Sequence, residues 1–102
     1  MPRPVHSEIR QNMIDILYHL GIGYGYQIYQ IYRSVFPSCT SEVIYYHLKK
    51  GLSLGEFQVE KTSKEKGDYS WGPVAEKTYY SLGKNAKPRT NRRVAEHIRK
   101  HP

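Results

Sequence analysis

Apolar residues recur at intervals of three and four along two segments near the start of the chain, which predicts two amphipathic helices. The first helix begins after Ser7, a suitable N-cap, and stops at Gly21. Its apolar positions are Ile9, Met13, Ile16, Leu17 and Leu20. The second helix covers residues 24–36 and ends at Pro37, because the residue before a proline avoids helical geometry. Its apolar positions are Ile28, Ile31, Tyr32 and Val35.

A third segment, from about Thr40 to Leu54, predicts a helix with a narrow apolar stripe at Ile44 and Leu48. Its other faces carry hydroxyl, phenol and ammonium groups. Gly51 is expected to loosen the last turn, since glycine within a helix costs roughly 1 kcal/mol relative to alanine, and Gly55 suits the C-cap. A helix that docks by one stripe and presents such polar groups on the others suits the major groove of DNA.

Beyond residue 55 the pattern changes to that of two strands. Residues 56–60 alternate as a half-buried strand, and residues 77–82 predict a returning strand that Gly83 ends. The polar stretch 61–73 between them is expected to be a long loop, and loops of that length are often functional.

Residues 92–101 predict a short helix with Val94, Ala95 and Ile98 on one side. The order of elements predicts an α+β fold that is mostly α. Its outline is a winged helix-turn-helix with three helices, a two-stranded β-wing and a short C-terminal helix. The length of 102 residues suits one domain. We divide it into a winged-helix domain with a short N-terminal arm (1–83) and a basic C-terminal tail or helix (84–102).

Positive charge is concentrated in this C-terminal segment. The whole chain has 16 lysines and arginines against 9 acidic residues, a net charge of +7 that favours an anionic partner. From residue 84 onward Glu96 is the one acid, and the basic residues are Lys84, Lys87, Arg89, Arg92, Arg93, Arg99 and Lys100. Clustered arginines indicate phosphate contact, because guanidinium pairs with phosphate in a bidentate way. A solvated tail is the alternative.

Several classes of protein are disfavoured by what the sequence lacks. It has no apolar run of the roughly 18–20 residues that a membrane span needs, and no signal peptide. Cys39 cannot form an internal disulfide, so a cytoplasmic, nucleoid-associated protein is expected. No nucleophile elbow, phosphate loop or paired carboxylates suggest an enzyme. None of the five histidines stands with a cysteine or carboxylate at a metal-ligand spacing. His97 and His101 could share a helix face, but two ligands near a chain terminus are too few, so we expect neither metal nor cofactor.

Four segments resemble the PadR-like transcriptional regulators, within the winged-helix group that includes the MarR-like and ArsR-like proteins. Residues 25–28 are similar to the opening of that family's second helix, and residues 40–48 are similar to its recognition helix. Residues 54–57 and 77–82 are similar to its wing strands. Tyr45 matches a tyrosine of the family's recognition helix, and the resemblance covers about residues 8–84.

The resemblance implies sequence-specific binding of double-stranded DNA by a homodimer. The third helix would enter the major groove, and the wing would touch the backbone or the minor groove. Glu42 departs from the family's small glycine, and a carboxylate there suits the helix dipole but repels phosphate. Gly51 stands where leucine is usual. About 19 residues follow the wing, whereas these regulators commonly dimerise through a long C-terminal helical region.

The candidate DNA-binding residues fall in three groups. On the third helix they are Ser41, Tyr45, Tyr46, Lys49 and Lys50. At the wing they are Lys61, Lys64 and Lys66. In the C-terminal segment they are Arg89, Arg92 and Arg93.

Each group has a structural alternative. Tyr45 or Tyr46 could pack into the core or against the wing. The wing lysines could belong to a solvated loop that binds nothing. The arginines could be the solvated side of a helix that pairs between subunits through Val94 and Ile98. Trp71 could pin the loop to the domain or contact a sugar or partner protein. Cys39 is either a small turn residue or a redox switch whose pKa is lowered at a helix N-terminus.

Two other functions remain open at this point. A winged helix that binds a protein partner would suit the ten tyrosines and Glu42. A non-specific binder of nucleic acid, RNA included, would need no more than the basic tail.

Overall fold

A computed structural model of the chain describes residues 8–36, 39–69 and 72–100, with the backbone alone for 63–69 and 72–76. The elements in chain order are α1 (Glu8–Leu20), β1 (Gly23–Tyr24), α2 (Gly25–Val35), α3 (Ser41–Leu54), β2 (Phe57–Tyr69), β3 (Gly72–Leu82) and α4 (Arg92–Lys100). The expected N-cap at Ser7, the stop at Pro37 and the role of Trp71 lie outside the described residues.

The expected helices are confirmed, and α3 is capped at both ends, with the expected Gly55 at its C-terminal end. The Thr40 hydroxyl accepts a hydrogen bond from the Val43 amide at 3.3 Å, which satisfies one of the free N–H groups of the first turn. At the other end, Gly55 adopts φ 76°, and the next amide, that of Glu56, donates to the Gly51 carbonyl at 2.9 Å. A left-handed backbone conformation at this position favours glycine, and it ends the helix.

The expectation that Gly51 loosens the last turn of α3 is wrong. Gly51 is buried, and the ring of Phe57 fills the space that a Cβ would occupy. The missing side chain therefore allows the first residue of β2 to pack directly on α3. Phe57 is 2% exposed, so this contact is part of the core.

The wing differs from the expected short strands and long loop. β2 and β3 pair antiparallel from Phe57 opposite Leu82 to Tyr69 opposite Gly72, with register shifts after Val59 and after Lys66. The expected loop at 61–73 is therefore wrong over most of its length. Residues 61–73 are mostly polar and do not alternate with apolar residues, so the pattern did not indicate strands there.

A third strand, β1, was absent from the sequence prediction. Gly23 pairs with Tyr80 and Tyr24 with Tyr79, which gives a sheet of order β1-β3-β2. A strand of two residues is too short to show alternation in the sequence. In the structure, β1 attaches the start of α2 to the wing.

The core lies among the helices and the base of the sheet. Its buried apolar side chains are Met13, Ile14, Ile16, Leu17, Ile28, Ile31, Tyr32, Val35, Ile44, Leu48, Phe57 and Val94. Val94 is fully buried and Ile98 packs against the core, so α4 docks on α1 and α2 of its own chain. These elements confirm the winged-helix fold.

Candidate nucleic-acid interface

The outward side of α3 carries the first group of candidate residues. Ile44 and Leu48 are at most 1% exposed, while Tyr45 and Tyr46 are 47% and 61% exposed. Both tyrosines therefore lie at the surface, and the alternative of a core position does not apply to either. Lys49 and Lys50 are exposed on the same side as the tyrosines, as are Glu42 and Ser53, and Ser41 is half-buried.

Tyr45 is held in place by the start of α2. Its ring lies where a Cβ of Gly25 would be, so the glycine allows the helix to touch the ring. Partial burial, and after it the nearby phenols of Tyr26 and Tyr24, raise the pKa of Tyr45 above its usual range. The Tyr45 hydroxyl therefore stays protonated and can both donate and accept a hydrogen bond.

Tyr46 projects farther into solvent than Tyr45. Its ring meets the imidazole of His47 edge-on, with centroids 5.0 Å apart and an interplanar angle of 78°. This contact restrains the ring, so the Tyr46 side chain is already oriented before a partner binds.

The base of the wing brings two lysines and two tyrosines together. The Lys61 ammonium lies 5.0 Å from the centroid of the Tyr79 ring, and the Lys77 ammonium lies 4.5 Å from that of Tyr24. The two rings meet edge-on at 5.6 Å because β1 and β3 pair at these residues. Cation–π contact orients both lysines. The role of Lys77 was missed from sequence, since only strand pairing places it on Tyr24.

The other two wing candidates lie farther along β2. Lys64 pairs with Glu76 across the ribbon, and Lys66 pairs with Val74. Their side chains lie outside the described part of the structure, so their contribution stays a prediction.

Arg89 has carboxylate partners within the chain. Its guanidinium lies 3.2 Å from both Asp15 and Glu8, and it donates to the Asn12 side chain at 3.3 Å. The Arg89 backbone amide also donates to Asp15 at 2.8 Å. Because Asp15 is fully buried, these bonds fix the segment before α4 to α1.

Arg93 is likewise engaged, since its guanidinium donates to the backbone carbonyl of Val35 at the end of α2. Tyr45 touches the opposite end of α2, at Gly25. Ten residues of helix at 1.5 Å each separate these two ends by about 15 Å. Arg92 is exposed at the start of α4. Arg93 and Tyr45 therefore contact opposite ends of α2.

Comparisons with known proteins gave one structural likeness. No family model matches the chain, and no curated protein matches it. The chain is similar to a solved PadR family transcription regulator from hypervirulent Clostridium difficile R20291. The likeness covers 85% of this chain and 83% of that chain, with a TM-score of 0.46 and 22% sequence identity. That structure is from the family that the four sequence segments resemble.

Other candidate chemistry finds little support among the described residues. Burial raises the pKa of the Cys39 thiol, which disfavours the redox-switch alternative and favours a small residue in the turn. The thiol lies before the N-cap and is half-buried, and burial disfavours the thiolate. Across residues 8–36, 39–69 and 72–100, no three histidine, cysteine or carboxylate side chains are grouped as metal ligands. None of the helices described there has the length and hydropathy to span a membrane.

Proposed function

We propose that this protein is a transcriptional regulator that binds double-stranded DNA at specific sequences. In this proposal α3 enters the major groove, and the β2–β3 wing lies on the backbone or in the minor groove. The observation that carries the proposal is the outward side of α3. It presents Tyr45, Tyr46, Lys49 and Lys50 from a helix whose opposite side is buried in the core.

The chemistry of this surface suits a duplex. The major groove is wide enough for one helix, and lysine ammonium groups pair with phosphates along its edges. A tyrosine ring can contact a thymine methyl group, and its hydroxyl can bond a base edge or a phosphate. Since Tyr45 lies against Gly25 and Tyr46 against the His47 ring, binding would cost little side-chain rotamer freedom.

Glu42 limits how α3 can dock. It is exposed in the first turn of α3, where it would repel a phosphate. A carboxylate can instead accept a hydrogen bond from the amino group of cytosine. We therefore place the first turn of α3 toward base edges, and Lys49 and Lys50 toward the backbone.

The wing supplies the second contact in this proposal. Lys61 and Lys77 are oriented on tyrosine rings at its base, and Lys64 and Lys66 follow along β2. Arg92 is a possible flanking contact. We assign Arg89 and Arg93 to the attachment of α4, since their guanidinium groups already have partners in the chain.

A pool of random duplexes, titrated with the protein at near-physiological salt, tests the proposal and finds its target. We expect an enriched palindrome, because a homodimer would present two copies of α3 to two half-sites about one helical turn apart. Retention without enrichment would favour a charge-driven binder of nucleic acid. No retention would favour the protein-interaction alternative, to which the exposed tyrosines are also suited.

Lysine variants of α3 give the first specific prediction. Lys49→Ala and Lys50→Ala should each weaken binding to the enriched duplex and lower the slope of log affinity against log salt by about one, since each removes one phosphate contact. Fluorescence anisotropy at several salt concentrations measures both quantities. Arg99→Ala is the control, because it removes one positive charge from a side chain of α4 that is 74% exposed. Equal slopes for all three variants would contradict the assigned surface.

A further inference from the structure

Arg10 carries a buried charge that the proposed DNA surface does not use directly. Its side chain is 4% exposed, and its Nε donates to the carboxylate of Glu56 at 2.5 Å. Another nitrogen of the same guanidinium lies 3.4 Å from Nδ1 of His47. One planar group on α1 therefore holds two side chains that are 9 residues apart in the chain.

The two partners belong to the elements that the proposed function requires. His47 lies on α3, between Tyr46 and the core residue Leu48. Glu56 lies between the C-cap of α3 and the first residue of β2, and its amide donates to the Gly51 carbonyl at 2.9 Å. Arg10 thus links α1 to α3 and to the point where the chain turns from α3 into the wing.

The burial of the Arg10 charge, beside a Glu56 side chain that is 20% exposed, is not explained by stability alone. Removing a charge from water is costly, and apolar side chains of similar size often stabilise a core as well or better. What a guanidinium adds is a fixed planar geometry with several donors. That geometry restrains the orientation of the groups that it bonds.

We propose that Arg10 is a positioning residue that sets the angle between α3 and the wing, and thereby which bases α3 can contact. The inference rests on the proposed function for its consequence in DNA binding. The restraint on α3 itself is a property of the free protein and can be measured without DNA.

The hydrogen bond from Arg10 requires one protonation state of the His47 ring. Nδ1 can accept from the guanidinium only as an unprotonated nitrogen, so the ring is neutral. Burial, and after it the charge of Arg10, lower the pKa of His47 below its ordinary value near 6.5. The groups around the imidazole are Arg10 from α1, Glu56 beyond it at the start of the wing, and the Tyr46 ring on its own helix.

Protonation of His47 would replace a hydrogen bond with two adjacent cations. Repulsion would then separate α3 from Arg10, and the restraint would be lost. We therefore expect discrimination between the enriched duplex and a shuffled one to be constant above the pKa of His47 and to fall as the pH is lowered through it.

Three variants separate positioning from simple stability. Arg10→Met keeps much of the packing volume and removes both contacts. Arg10→Lys keeps the charge but cannot hold two partners in one plane. His47→Gln keeps a hydrogen-bond acceptor and cannot titrate. Arg99→Met is the matched control, since it makes the same chemical change at an exposed site on α4.

The first measurement is an NMR titration of His47 in the free protein, with its signal assigned from the spectrum of His47→Gln. We expect the midpoint to rise in Arg10→Met, because the charge that lowers it is gone, and to stay unchanged in Arg99→Met. Circular dichroism of each variant would establish that it is folded before its midpoint is compared. An unchanged midpoint in folded Arg10→Met would overturn the proposed link between Arg10 and α3.

The second measurement is the affinity ratio between the enriched and the shuffled duplex from pH 5.5 to 8. At pH 8 we expect the ratio to be about tenfold lower in Arg10→Met and Arg10→Lys than in the wild-type protein. A loss of this size is comparable to the loss of recognition of one base pair. His47→Gln should keep the ratio and lose its pH dependence. If Arg10→Met were unstable, Arg10→Lys would still show whether the ratio is lost, and His47→Gln would still show whether its pH dependence comes from His47.

The outcomes separate this inference from the proposed function. If no duplex were preferred by the wild-type protein, the proposed function would fail, and the His47 midpoint would still decide whether Arg10 restrains α3. If the wild-type protein preferred one duplex and folded Arg10→Met kept the full ratio, the positioning role would be wrong while the DNA-binding proposal stood.

Discussion

Two glycines in this protein are explained by the aromatic ring that each one touches. Gly25 makes room for the ring of Tyr45, and Gly51 makes room for that of Phe57. Both glycines lie in helices, where the residue is normally unfavourable. In each case the lost helix propensity is exchanged for a close contact between α3 and its neighbour, α2 or β2.

Gly51→Ala should therefore destabilise the protein, although the same change in an unconstrained helix would stabilise it by roughly 1 kcal/mol. The new methyl group would overlap the buried ring of Phe57, and overpacking a core costs about 1–3 kcal/mol. Chemical denaturation measures the free energy of unfolding. A more stable variant would show that the ring moves away without cost, contrary to the packing described.

Gly25→Ala should affect function more than stability. Its methyl group would displace the ring of Tyr45, but that ring is 47% exposed and can move toward solvent. We expect a change of less than about 1 kcal/mol in unfolding free energy and a loss of duplex affinity similar to that of Tyr45→Ala. Combining the two substitutions should add little. Fully additive losses of affinity would mean that Gly25 does not act through Tyr45.

At the scale of elements, the sequence predicted the helices well and the wing poorly. The periodic positions of α1, α2 and α3 face a core, so their pattern records their packing. The middle of the wing is mostly polar in sequence, and β1 has only two residues, so neither shows a pattern. The partners of Arg10 and Arg89 were also hidden, because they are 46 and 74 residues away in the chain.

The attachment of α4 depends on Asp15 more than on Glu8, although both bond Arg89. Asp15→Ala should lower the unfolding free energy by about 1–3 kcal/mol, because it removes the fully buried carboxylate that accepts from the Arg89 amide and guanidinium. Glu8→Ala is the matched control, since Glu8 is 66% exposed and such ion pairs contribute at most about 1 kcal/mol. Thermal denaturation of the two variants gives the comparison. Equal losses would indicate that burial of Asp15 does not govern the docking.

At the scale of the whole molecule, α1 separates two basic regions. Glu8, Asn12 and Asp15 lie on one side of α1 and hold Arg89, while Arg10 lies on nearly the opposite side and contacts α3. The sequence placed most of the excess charge in the C-terminal fifth, and Arg89, Arg92 and Arg93 were one of the three candidate groups. Counting charge along the chain does not show on which side of the core each residue lies.

This division makes the central claim open to a direct test. The measurement is the map of amide chemical-shift changes when the enriched duplex is added to isotope-labelled protein. Our account expects the largest changes along the outward side of α3, at Tyr45, Tyr46, Lys49 and Lys50, and along the wing. Changes centred on α4 and the arginines beside it, with α3 unaffected, would contradict the account.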